Sequence, residues 1–231
     1  MQPTYMPWAG YFGLIAGVDA FVYLDDAQYE RGSWQQRNRV LVHGAPHWLT
    51  VPVLRPHLGA AIHEVEVDDG AHWRRKHRSL LANVFARHPH RDEALELAGA
   101  AEQATTRRLA DLNIALIEHA CVRMGIATRR LRSSGMGVPG KRTERVIALC
   151  EALGATTYVS PPGARSYLEE DGFGQRTTIQ LEFHEFRAAP YPQRGASTFT
   201  SHLSLLDVVA NLGWDGAARY VRQEAPPVHS S

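Results

Sequence analysis

The sequence predicts an α/β fold: a mostly parallel central sheet with covering helices and a helical lobe in the middle of the chain. Three observations predict it. In the carboxyl-terminal part, strand-type and helix-type segments alternate, the pattern of parallel strands joined by covering helices. Residues 71–125 read as helix throughout. The chain has 231 residues, 44% apolar and 21% charged, enough to bury a substantial core. The expected organisation is a single domain over 1–225, with a helical insertion at about 71–125 and a disordered tail at 226–231.

After an opening loop, residues 10–18 (GYFGLIAGV) read as a short helix and 20–25 (AFVYLD) as a strand. Residues 34–42 and 47–53 are strand-type runs separated by the turn-rich HGAP, which predicts a hairpin. AIHEVEVDD (61–69) alternates and predicts another strand. Trp73, His77, Leu80, Leu81 and Val84 then recur at helical spacing, with Asp68 or Asp69 as cap. Helices follow over 91–101 and 105–125, then a strand over 128–134. Residues 141–154 form a helix closed by Gly154. TTYVS (156–160) is a strand, 163–173 a short helix and turn, 178–186 a strand, and 201–213 a last helix.

A net charge of +1 gives no reason to expect nucleic acid or an anionic membrane as partner. The arginines at 129, 130 and 132 are locally dense and suit either phosphate or a solvated face. Two cysteines, Cys121 and Cys150, suggest no disulfide framework and fit a reducing cytoplasm. Both sit in apolar helical runs, where inert thiols are the default; Cys150 is the better candidate for a nucleophile. No stretch has the apolar length of a membrane span. No histidine group has metal spacing, so neither a metal nor a cofactor is expected. The Gln2-Pro3 pair is preceded only by Met1, so either another strand positions it or the start is short.

The opening QPTYMPWAGYF combines stiff prolines with flat side chains that carry polar handles. Gln2, Tyr5, Trp8 and Tyr11 suit a pocket that stacks and orients a small molecule; a packed turn is the alternative. LDDAQY ends a predicted strand, where ligands of open α/β sheets gather. Asp26 and Gln28 share a face there, whereas Asp25 joins them only if the strand has already ended. Arg37 and Arg39 share a face of the next strand with Asn38 opposite, a fit for phosphate or carboxylate or for a cross-strand ion pair with the two aspartates. SSGMGVPGK opens a helix, so Ser134 and Lys141 are candidates for holding an anion. Its G-x-x-x-x-G-K is followed by Arg142 where a phosphate loop needs Ser or Thr, which argues against nucleotide hydrolysis. Tyr191 and Gln193 lie on a proline-stiffened loop, with Asp207 and Asn211 placed to orient it.

These blocks resemble the WbqC-like protein family. The resemblance is carried by QPTYMPWAGYF, DAFVYLDDAQYERGSWQQRNRV, LTVPV, Trp73 with Lys76 and His77, GKRTERVIALCEALGATTYVS, ARSYL, YPQ and LSLLDVVANLG, in order over nearly the whole chain. It implies a bacterial biosynthetic enzyme of surface-polysaccharide or natural-product pathways, and it makes His77 the preferred histidine for proton transfer. The layout around Trp8, Gly10 and Tyr11 is also similar to nucleotidyltransferase-type folds, without their paired histidines.

The leading expectation is a cofactor-independent transferase that moves an acyl or aminoacyl group to an amine or hydroxyl. His77 or Asp26 accepts the proton; Arg37, Arg39 and Lys141 hold the donor. Its partners are a small-molecule substrate, with a carrier-protein-bound or tRNA-bound donor in view and oligomerisation open. Two alternatives stand beside it: a nucleotide-dependent nucleotidyl or sugar-nucleotide transferase, and a non-catalytic ligand-binding protein of a biosynthetic assembly.

Overall fold

The computed structural model describes residues 1–224. The predicted tail at 226–231 lies outside the described residues. Helix α1 (Ala9–Ala16) leads into strand β1 (Ala20–Tyr23). Strands β2 (Arg37–Val42) and β3 (Ala45–Thr50) form an antiparallel hairpin. Its two-residue turn is His43-Gly44, both at positive φ (49° and 79°), the backbone that matches strand twist. Three helices follow: α2 (Trp73–Val84), α3 (Arg91–Gln103) and α4 (Leu109–Arg123). This is the helical lobe that the sequence predicts.

Strand β4 (Arg129–Arg132) pairs in parallel with β1, Ala20 opposite Arg129 and Tyr23 opposite Arg132. Helix α5 (Arg142–Ala152) leads to β5 (Thr157–Ser160), then short helices α6 (Arg165–Glu170) and α7 (Phe173–Arg176). Strand β6 (Gln180–Phe183) pairs in parallel with β5, and α8 (Leu205–Val221) ends the fold. The architecture is therefore mixed α/β, but the expected central sheet is only partly formed. It consists of two parallel pairs, β1–β4 and β5–β6, plus the hairpin.

Two further expectations change. AIHEVEVDD is not a strand: Ile62–Glu64 is a 3-10 turn, and Val67 and Glu66 make isolated bridges to Val53 and Arg108. Glu64 Oε2 accepts from the Ala61 N–H at 2.7 Å, which bends the chain where a strand would extend it. The alternation is satisfied by burying Val65 and Val67 while the acids face out. Asp68 caps that region's second 3-10 turn through Gly70 N–H, not α2. Asp69 instead accepts from Trp73 Nε1 (3.1 Å) and Arg74 Nε (2.8 Å), tying down the first turn of α2.

The main core packs α1, α3, α4 and α8 together, with Phe12, Ile15, Leu112, Ile117 and Val209 fully buried. Each such side chain contributes about 1.5–3 kcal/mol relative to exposure. In α4 the apolar residues recur at Leu109, Leu112, Leu116 and Ala120, one helical face. The helix stops because Gly125 takes φ 62° and Ile126 N–H reaches back to Cys121 O at 2.9 Å. Gly154 ends α5 the same way, with Ala155 N–H on Cys150 O at 2.9 Å. A second apolar cluster, Val146, Ile147, Cys150, Ala164, Leu168 and Phe173, packs α5, α6 and α7.

Helix α8 runs past the predicted end at Gly213, which sits at φ 71° and ψ 175° and breaks the helix without ending it. Glu93 of α3 bridges the break: Oε2 accepts from Trp214 N–H at 2.6 Å, capping the second half. A Cβ at Gly213 would lie 2.7 Å from His90 Nδ1. Gly213→Ala is therefore expected to cost about 1–3 kcal/mol, read as a lower urea midpoint, because it combines a backbone that L residues avoid with that clash. An unchanged midpoint would mean that the break is not held by its backbone conformation.

Candidate functional site

Parallel pairing of β1 with β4 brings the carboxyl ends of both strands to one place, Tyr23 beside Arg132. Beyond these ends, the chain places Asp25 and Asp26 against Ser133 and Ser134. The strand has ended at Tyr23, so the two acids are free of strand alternation and both carboxylates meet Ser133. Asp25 is fully buried. It accepts from Ser134 N–H (3.0 Å), Ser134 Oγ (2.7 Å) and Arg132 Nε (2.7 Å), with Ser133 Oγ at 3.3 Å. Burial alone would raise its pKa, but the Ser134 and Arg132 hydrogen bonds outweigh it and hold the carboxyl below its usual range. Arg132 also reaches Asp111 Oδ1 at 2.6 Å, and His63 Nδ1 lies 3.1 Å from the Asp25 carbonyl.

Asp26 is the more open acid. Ser133 Oγ donates to its Oδ1 at 2.6 Å, and Arg145 Nη2 pairs with its Oδ2. Arg145 comes from α5 and also donates to Val138 O in the glycine loop that covers this end of the strands. In that loop Gly140 takes φ 104°, and a Cβ there would press on the Arg145 backbone at 3.2 Å. Lys141, the residue before α5, is exposed beside this cluster, as is Ser134. Arg142 is drawn away by Asp171, which accepts from its Nε and Nη2 at 3.0 Å each.

The other predicted residues fall into separate contact groups. Asn38 Nδ2 donates to the carbonyls of Tyr5 (3.2 Å) and Met6 (2.9 Å), so it pins the opening loop to the hairpin. Tyr5 is buried against Trp73 and His77, its hydroxyl 3.0 Å from His77 Nδ1. Burial pushes the His77 pKa down to about 4, opposed by the Thr50 backbone and reinforced by His47. A histidine this desolvated, with Nδ1 already engaged, holds the loop in place. Gln2 Oε1 accepts from Gln35 Nε2 (3.0 Å), which also donates to the carbonyl of exposed Gln28 (3.2 Å). Tyr11 is buried and donates to the Gln2 carbonyl at 3.1 Å.

Trp8 stacks on His202 and Phe186 near α8, where Tyr191 also packs. Tyr191 and Gln193 both donate to buried Asp207, at 2.7 and 2.9 Å. Asn211 accepts from Arg194 N–H at 3.1 Å, so α8 does orient this loop. Arg37 and Arg39 do not pair with the aspartates. They lie on two partly exposed indoles, Arg37 4.1 Å over Trp48 and Arg39 5.5 Å over Trp34. Burial raises both thiols, Cys121 to about 12 and Cys150 to about 11, so neither is activated.

Sequence reasoning missed Arg132, Ser133 and Arg145 as partners of the two acids. Arg130, grouped with Arg132 as an anion patch, is engaged by Glu118 at 2.9 Å. Only the position of Arg145, one helical turn beyond Lys141, was available as a signal.

The WbqC-like protein family matches residues 2–219. The chain belongs to the WbqC-like protein family. Among curated proteins, the uncharacterized protein Rv1507c of Mycobacterium tuberculosis is similar, 34% identical over 227 residues that cover 96% of this chain and 97% of that protein. No solved structure matches. Among the described residues of this WbqC-like chain, no helix is long and apolar enough to cross a membrane.

The depressed His77 pKa makes a pH prediction. Between pH 6.5 and about 4 the unfolded imidazole binds a proton that the folded one refuses, so its contribution to stability falls as pH drops through that window. His77→Gln, which keeps a partner for Tyr5, is expected to flatten the dependence of urea midpoint on pH over that range. Identical slopes for the two proteins would show that His77 is not held neutral.

Proposed function

We propose that this protein is a bacterial biosynthetic group-transfer enzyme that moves an acyl or aminoacyl group from an anionic donor to an amine or hydroxyl. The observation that carries the reading is the Asp26 carboxylate, held between the Ser133 hydroxyl and the Arg145 guanidinium beyond the ends of two parallel strands. Open α/β sheets use this place for ligands. The family likeness supplies the biosynthetic setting, and the similar mycobacterial protein supports a bacterial one.

In this reading Arg145, Lys141 and the loop amides at the start of α5 hold the donor's anionic portion. The acceptor nitrogen or oxygen attacks the donor carbonyl carbon, and the bond to the leaving group breaks with the electron pair departing on that group. Asp26 takes the acceptor's proton and passes it to the leaving group. Asp25 keeps Ser134 and Arg132 in place and takes no proton itself. His77, buried with Nδ1 engaged by Tyr5, has no part in the transfer.

The exposed Trp34 and Trp48, their ring centroids 5.2 Å apart and flanked by Arg37 and Arg39, favour a second reading. Indoles with guanidinium groups suit a base and its phosphates, so a nucleotide-bearing donor fits that face.

Thermal shift separates the two. Acetyl phosphate or acetyl-CoA is expected to raise the melting temperature of the full chain by at least about 2 °C, the scale of a 1 kcal/mol gain for a chain of this size. Arg145→Met is expected to abolish the shift. Asp26→Asn is expected to retain it but lose about 10²-fold or more of turnover with an amine acceptor. A response to ATP or CTP alone would replace acyl transfer by nucleotidyl transfer, and silence towards all four probes would refute both.

A further inference from the structure

The two parallel pairs, β1–β4 and β5–β6, are separated by a cavity of about 550 Å³. One wall is β1, through Ala20, Phe21 and Val22; the opposite wall is β5, through Thr157, Tyr158 and Val159. The cavity is flanked by Leu14 and Val18 from the α1 end and by Val146, Leu149 and Cys150 of α5. A space bounded by two strands and by helices of the covering layers has the surroundings of an inner strand of a doubly covered sheet.

The first residue shows how such a strand would sit. Met1 N donates to Val22 O at 2.8 Å, and Leu24 N–H donates to Met1 O at 2.8 Å. One residue bonding to both neighbours of Tyr23 in this sense is a rung of a parallel ladder. Period-two alternation then turns the N–H and C=O of Ala20 toward the cavity as well. The Met1 ammonium ends at this rung, and burial lowers its pKa to about 5. A charged group facing an apolar slot is disfavoured there, whereas a peptide N–H would be matched.

We propose that the slot between β1 and β5 binds an extended, predominantly apolar peptide strand, parallel to β1 and running directly into Met1. It joins the two pairs into one sheet in the order β4, β1, inserted strand, β5, β6. Continuing the register from Met1 opposite Tyr23, three further residues lie opposite Val22, Phe21 and Ala20. At about 3.3 Å per residue, four to five residues span this edge. The carboxyl end of the inserted strand is then Gln2-Pro3. It emerges where Gln2 meets Gln35 and where Asn113 Nδ2 holds the Pro3 carbonyl at 3.1 Å. The slot thereby sets the position of the opening loop independently of the chemistry at Asp26.

The test adds residues to the full chain. Ile-Lys-Val-Ala-Val fused ahead of Met1 is compared with Gly-Ser-Gly-Ser-Gly and with Ile-Lys-Pro-Ala-Val, whose proline removes a ladder donor. The first fusion is expected to raise the melting temperature by at least about 5 °C over both controls. It is also expected to slow amide exchange at β1 and β5 residues facing the slot. Equal melting temperatures for the three fusions, or a rise without added protection in β1 and β5, would overturn the proposal. So would a small molecule that protects both strands in the unextended protein and cannot be displaced by the apolar fusion.

Discussion

One buried carboxylate organises this end of the molecule. Asp25 has no exposed surface, yet it stays ionised because donors from three residues, Arg132, Ser133 and Ser134, converge on it. Those donors lie more than 100 residues away in the chain and directly after β4, so the carboxylate fastens the end of β1 to the end of β4. A buried charge left without its partners costs about 3–5 kcal/mol. The arrangement therefore holds as a unit. The turn after β4, the glycine loop that follows and the placement of Arg145 all depend on it.

Around this fastening the structure spends its buried polar groups on holding loops. Asn38 holds the carbonyls of Tyr5 and Met6, Asn113 holds those of Pro3 and Gln35, and Gln35 links Gln2 to Gln28. Asp207 gathers Tyr191 and Gln193 on the far loop. Burial raises the Asp207 pKa against the pull of these two donors, as expected for a carboxyl with neutral partners only. Amide and hydroxyl side chains can satisfy the bare carbonyls of proline-rich segments that join no sheet. That is why the opening segment is rich in polar groups that are structural and touch no open surface.

What the sequence makes legible is local. The hairpin is readable from strand-type runs around His43-Gly44, the lobe from helical spacing, and the end of α5 from Gly154. The break in α8 is visible only as a glycine, because its continuation rests on Glu93, 121 residues away in the chain. AIHEVEVDD misleads because period two requires only that alternate residues be buried, and a turn followed by single bridges buries them equally well. Asp26 and the start of α5 are legible as chemistry-bearing positions. The pairing of Asp26 with Arg145 is not, since it spans 119 residues and no local pattern encodes it. Arg37 and Arg39 carry the right chemistry for an anion, but Trp34 and Trp48 capture them instead of the aspartates.

The pairing of Asp26 with Arg145 bears on how the proposed reaction would be ordered. In the free protein the guanidinium neutralises the carboxylate, which weakens it as a base. An anionic donor entering beside Lys141 competes for the same guanidinium. As Arg145 turns toward the donor, Asp26 loses its cation while keeping the Ser133 hydroxyl, and its affinity for a proton rises. The base would thus become effective only with a donor in place, so an acceptor arriving alone would meet an acid already occupied. Asp25 undergoes no such change, because its partners Ser134 and Arg132 come from the β4 end and are not shared with the glycine loop. Two adjacent aspartates, alike in sequence, are divided by their partners into one that holds the fold and one that can change state.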